Sequence, residues 1–96
     1  MTFEAFKHSL ANHQPEEELN LLLKALWFDE KGNWKMAHDI AQEKNLPEYC
    51  LIHAYLHRKE GDIWNAEYWY KKAGKTLPSQ TLTEEWENLV KSLLTP

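Results

Sequence analysis

The amino-acid sequence predicts an all-α protein, an array of antiparallel helix pairs with five to six helices and no strands. Three observations predict it. Apolar residues recur at helical spacing in segments separated by Gly-Asn, Gly-Asp and Leu-Pro breaks. Residues that favour N-cap positions stand at the segment starts. A stretch of the first half of the chain also recurs 29 residues later without a gap.

The first half of the chain is expected to hold three helices. Thr2 is a suitable N-cap for a helix over residues 3–12, which counts as a sixth helix only if this short segment is helical on its own. Pro15 opens the second predicted helix, which runs to about residue 31 with three glutamates in its first turn. Gly32 breaks it, and Asn33 caps a third helix over residues 34–44.

The second half is predicted to hold the other three helices. A fourth helix covers residues 47–60, and Asp62 caps a fifth that ends near residue 73. Thr81 and Thr83 are competing N-caps for the last helix, which buries Trp86. The chain is therefore predicted to be one domain over residues 1–96. It divides into an N-terminal helix (1–14), two repeat-like hairpins (15–46 and 47–78) and a capping helix (79–96).

The internal repeat carries a family resemblance. It pairs Gly32 with Gly61 and Ala37 with Ala66. In the second copy, small, aromatic and turn-forming residues stand at spacings typical of a known helical repeat: Ala54, Gly61, Ala66, Tyr70, Ala73 and Pro78. This pattern resembles a tetratricopeptide repeat, and the HAYLHRKEGD–NA–YWY–KAG segment looks like one found in a group of short uncharacterised microbial proteins. The tetratricopeptide resemblance implies a scaffold that binds partners and rarely carries chemistry.

Composition narrows the functional class. Fifteen acidic against eleven basic residues give a net charge of -4, which disfavours nucleic-acid binding. The lone Cys50 is typical of a reducing compartment, and the most apolar run, residues 19–28, is too short to cross a membrane. We therefore expect a cytoplasmic protein with no membrane association. No nucleophile motif or phosphate-binding glycine loop is present, so neither an enzyme nor a cofactor is predicted.

The family resemblance places a partner surface on the first helix of each pair. We predict recognition of a protein or peptide partner by five residues on or next to that surface: Tyr55, Arg58, Lys59, Asn65 and Trp69. The N-terminal helix, with Phe3 and Phe6, could instead fill the groove.

The fifth helix carries more aromatic residues than one buried face requires. Its expected core stripe consists of Ile63, Ala66, Tyr70 and Ala73, which leaves Trp64, Tyr68 and Trp69 outside. One explanation is that the last helix covers this second side through Trp86. The other is a surface for a partner or for a second copy of the chain in a homodimer.

Histidines offer an alternative function. His53 and His57 stand four residues apart on one helical face, and the third helix brings His38 close to the fourth. Imidazoles at this spacing can share a metal ion, so a small-molecule or metal-binding domain is the rival prediction. The competing interpretation is that these histidines replace apolar residues between the helices, and it is the one we favour.

Overall fold

The computed structural model describes residues 1–95, and for them the prediction of an all-α array of five to six helices is confirmed, with six helices. The helices are α1 (Phe3–Ser9), α2 (Leu21–Glu30), α3 (Trp34–Ala41), α4 (Pro47–Glu60), α5 (Ile63–Lys72) and α6 (Leu82–Leu94). None of them has both the length and the apolar content that crossing a membrane requires.

Helix starts follow the predicted capping chemistry. The side chains of Asn33 and Asp62 accept hydrogen bonds from the backbone N–H groups three residues further on, at the starts of α3 and α5. Thr81, not Thr83, caps α6, and Glu84 completes a capping box with it. Gly61 ends α4 at a φ of 86°, a left-handed conformation that glycine adopts without steric cost.

The predicted start of α2 is wrong. The helix begins at Leu21, because Asn20 accepts a hydrogen bond from the backbone N–H of Leu23 and satisfies a group that the first turn leaves unpaired. The residues after Pro15 form a separate turn, closed by the bond from the Leu19 N–H to the Glu16 carbonyl. The three glutamates therefore stand outside α2.

Two other helices end about three residues earlier than predicted. α1 stops at Ser9, and the carbonyls at and just after its end accept hydrogen bonds from the region of α2: Trp27 of α2 bonds to Ser9, and Lys31, the residue that caps the end of α2, bonds to Leu10 and Asn12. α3 stops at Ala41 because the chain must reverse before Pro47, the first residue of α4.

The helices pair as two hairpins, α2 with α3 and α4 with α5. Alanines allow the close approach within each pair. Ala25 and Ala37 are fully buried in the first hairpin, and Ala54 and Ala66 are fully buried in the second. The hairpins meet where α3 and α2 pack against α4.

The last helix does not cover α5, in contrast to one of the two explanations for the excess aromatics. α6 packs across α2 and α4, and its Trp86 donates a hydrogen bond from Nε1 to the Leu26 carbonyl at 3.1 Å. On the same side the Trp86 ring meets Phe3 and Phe6 of α1, with centroids 6.1 and 6.0 Å away. The face formed by the first helix of each hairpin is thus filled mainly by α6. Ile63, predicted to be core, is exposed.

A buried carboxylate fixes α6 in this position. Glu85 is 3% exposed and accepts hydrogen bonds from Arg58 Nη1 at 2.7 Å and from the Tyr70 hydroxyl. Arg58 also donates to the Gln80 carbonyl. The network joins α4, α5, α6 and the segment before α6.

Glu85→Ala is expected to lower the free energy of unfolding by about 3 kcal/mol, because it leaves the largely buried Arg58 guanidinium, 15% exposed, without its counter-ion. Urea denaturation measures the change. Asp39→Ala is the control, since its ion pair with Lys35 is exposed and should contribute less than about 0.5 kcal/mol. Equal losses for the two variants would contradict the role given to Glu85.

Candidate functional site

Three imidazoles meet between α3 and α4. His53 and His57 lie one turn apart on α4, and His38 approaches both from α3. The ring centroid of His38 is 4.6 Å from that of His53 and 5.1 Å from that of His57, and the two α4 rings are 5.0 Å apart. One ring nitrogen from each residue lies within 4.8 Å of the other two. We call these three residues the histidine cluster.

Two indoles hold the cluster in place. Trp34, one turn before His38 on α3, stacks on its ring with centroids 4.8 Å apart, and Trp34 Nε1 donates a hydrogen bond to the Leu56 carbonyl at 2.9 Å. Trp69 from α5 stacks on His53 with centroids 3.9 Å apart. Stacking on both sides limits the ring orientations of two of the three imidazoles.

The third imidazole faces carboxylates. Nδ1 of His57 is buried and makes no hydrogen bond within residues 1–95. It lies 3.5 Å from a carboxylate oxygen of Glu60 and 4.0 Å from one of Asp62. Asp62 is already held in place, since it caps α5 and accepts a 2.7 Å hydrogen bond from the Asn65 side chain. A buried nitrogen without a partner is uncommon and calls for a physical explanation.

Burial favours the uncharged forms of His53 and His38 at neutral pH. Loss of hydration, and to a smaller degree the neighbouring His38 and His57, lower the pKa of His53 to about 4. Burial, together with His57, also lowers the pKa of His38. Neutral imidazoles offer lone pairs, so this is the group of side chains in residues 1–95 best suited to hold a transition metal through nitrogen.

The five residues predicted to bind a partner do not share one exposed surface. Tyr55 is buried, and its hydroxyl donates to Asp29 at 3.1 Å; Lys59 donates to the same carboxylate at 3.0 Å. These two line a cleft of about 410 Å³ next to Trp86.

The other three predicted residues lie elsewhere. Arg58 is engaged by Glu85. Asn65 bonds to Asp62, and Trp69 stacks on His53, so both border the histidine cluster.

Sequence reasoning missed the buried carboxylates Asp29 and Glu85 and the stacking role of Trp34. The position of Trp34, four residues before His38, is a signal that could have identified that role, because residues four apart share a helical face. The position of Glu85 on the apolar stripe of α6, three residues after Leu82 and four before Leu89, is the signal that distinguishes it from its exposed neighbour Glu84.

A second candidate surface is the outward side of α5, formed by Trp64, Glu67, Tyr68 and Lys71, which we call the aromatic face. Trp64 is 78% exposed and Tyr68 is 49% exposed. The four residues surround a shallow depression. Lys72 extends over the rings of Tyr68 and Trp69 at 5.5 and 5.0 Å from their centroids.

Searches with the sequence and the structure match no protein-family model, no curated protein and no solved structure. The histidine cluster and the aromatic face are therefore the features of residues 1–95 that bear on function.

The depressed pKa of His53 predicts a loss of stability in acid. Between pH 6.5 and about 4 the unfolded chain binds a proton at His53 that the folded chain does not, so the free energy of unfolding falls as the pH is lowered through this range. The expected loss is about 2–3 kcal/mol, since one pKa unit corresponds to about 1.4 kcal/mol.

Urea denaturation of chelator-treated protein at several pH values measures this loss. His53→Gln should flatten the profile, whereas His8→Gln, at an exposed position of α1, should leave it unchanged. An unaltered profile in the His53 variant would contradict the assignment.

Proposed function

We propose that the chain is a small non-catalytic interaction module that recognises a protein or peptide partner through the aromatic face of α5. The observation that carries the proposal is the 78% exposure of Trp64 beside the half-exposed Tyr68. Trp and Tyr are enriched among the residues that dominate binding energy at interfaces, and side chains four apart present one continuous helical surface.

Rigid support favours recognition by this face. On the opposite side of α5, Ala66 and Tyr70 are buried against α4, and the Asp62 cap holds the start of the helix. A partner therefore meets side chains on a backbone that is already ordered, which lowers the entropic cost of binding.

The position of α6 also supports the aromatic face. The groove that the tetratricopeptide resemblance assigns to partners is largely occupied by α6, through Trp86, and only the cleft of about 410 Å³ beside Tyr55 and Lys59 stays open there. The outward side of α5 has no such cover within residues 1–95.

Charge indicates the chemistry of the partner. The chain carries a net charge of -4, yet Lys71 and Lys72 lie at the end of α5 beside Tyr68. A segment with acidic residues beside an apolar one would pair with this combination of ammonium groups and rings. We therefore infer an acidic, partly apolar protein segment as the partner.

Photo-crosslinking from the aromatic face identifies the protein that contacts it. Glu67→p-benzoylphenylalanine places the reactive group on the aromatic face, and Met36→p-benzoylphenylalanine is the control at an exposed position on α3. Irradiation in extracts of the source cells should give a crosslinked protein from position 67 alone, which mass spectrometry identifies.

Affinity for the purified partner then tests the face. Trp64→Ala combined with Tyr68→Ala should weaken binding at least about 30-fold in calorimetry, the loss expected for interface hot spots. Leu46→Ala, which removes an exposed apolar side chain elsewhere, should have no effect. Equal affinity of all variants, or a crosslink only to a second copy of the chain, would overturn the proposal.

A further inference from the structure

We propose that the histidine cluster is a binding site for one divalent transition-metal ion, with His38, His53 and His57 as ligands and with Glu60 and Asp62 as positioning residues for His57. This site lies between α3 and α4 and shares no residue with the aromatic face. It would add metal binding to a module that otherwise recognises a protein.

The spacing of the imidazoles suits a common ion. Ring nitrogens bound to one zinc ion at about 2.0–2.1 Å are about 3.3 Å apart in a tetrahedral site. The three nitrogens here lie within 4.8 Å of one another, so a contraction of at most about 1.5 Å would bring them into coordination. A fourth position would remain for water or another ligand.

The environment of His57 provides a second, independent observation. In metal sites a coordinating histidine almost always donates its other ring N–H to a carboxylate, a carbonyl or a water. The otherwise unpartnered Nδ1 of His57 faces Glu60 at 3.5 Å and Asp62 at 4.0 Å. Coordination through Nε2 would place the proton on Nδ1, and a small ring rotation would complete its hydrogen bond to Glu60.

The ligand set selects the class of metal. Three imidazoles are borderline ligands that favour zinc, cobalt, nickel and copper, whereas magnesium and calcium require oxygen donors. Trp34 and Trp69 stack on His38 and His53, which holds these rings against the inner surface of the site. Stacking of this kind reduces the orientational freedom that binding would have to remove.

Titration of the untagged full chain with zinc chloride after chelator treatment tests the site. Calorimetry should show one equivalent bound, and cobalt chloride should produce visible absorption bands of a low-symmetry nitrogen-ligated ion. His38→Gln and His57→Gln should each weaken zinc binding at least about 100-fold and abolish the cobalt bands. The paired variant His8→Gln/His13→Gln removes two exposed histidines outside the cluster and should change neither.

Glu60→Gln and Asp62→Asn test the positioning role, and asparagine preserves the cap of α5. Loss of a carboxylate that orients a ligand should weaken zinc binding about 10-fold while the thermal midpoint of the metal-free protein stays unchanged. Absence of zinc binding to the wild type would overturn the proposal. It would also be overturned if the carboxylate variants abolished binding and His38→Gln did not, because the ion would then sit among His57, Glu60 and Asp62.

Discussion

The hydrogen-bonded carboxylate of Glu85 determines how the helices are arranged around the two hairpins. Removing a carboxylate from water costs several kcal/mol, and Arg58 and Tyr70 offset that cost only when α6 lies where both can reach it. Trp86, the next residue, is then directed toward Leu26 and the rings of α1. One charged residue and its aromatic neighbour therefore fix the orientation of α6, and α1 follows it.

This arrangement decides which surfaces stay open. Because α6 lies across α2 and α4, the face formed by the first helix of each hairpin is largely covered by the chain itself. The outward side of α5 stays uncovered and presents Trp64 and Tyr68. The same geometry leaves the junction of α3 and α4 free of α6, and the histidine cluster forms there. Both the histidine cluster and the aromatic face therefore result from the packing of α6 across α2 and α4.

The buried carboxylates and the histidine cluster differ in how completely their hydrogen bonds are formed. Asp29 and Glu85 each receive two charged or hydroxyl donors from neighbouring helices, so their hydrogen-bonding capacity is well used. The histidine cluster has aromatic walls instead, and His57 Nδ1 is left without a partner. Structural networks in a small domain are normally complete. The incomplete one is therefore the better candidate for a ligand site.

Local sequence signals predicted which segments form helices, but they were less accurate about where each helix begins and ends. Asn33, Asp62 and Gly61 act at their own positions, through hydrogen bonds within three residues or a single φ angle, so they could be recognised in the chain alone. The start of α2 was misplaced because Pro15 and Asn20 are both acceptable helix starts. The choice between them depends on how the intervening turn places Leu19 against the core.

Helical content and the one-turn spacing of His53 and His57 were encoded locally, since each arises from contacts within a few residues. The pairing of helices within each hairpin could be predicted because only a short Gly-Asn or Gly-Asp turn joins them. The approach of His38 to them could be anticipated from the hairpin order, although its distances could not. The docking of α6 buries Glu85 and leaves Trp64 exposed. It also gives the adjacent residues Arg58 and Lys59 different partners. That docking joins residues as distant in sequence as Phe3 and Trp86, and no pattern along the chain states which helical face meets which.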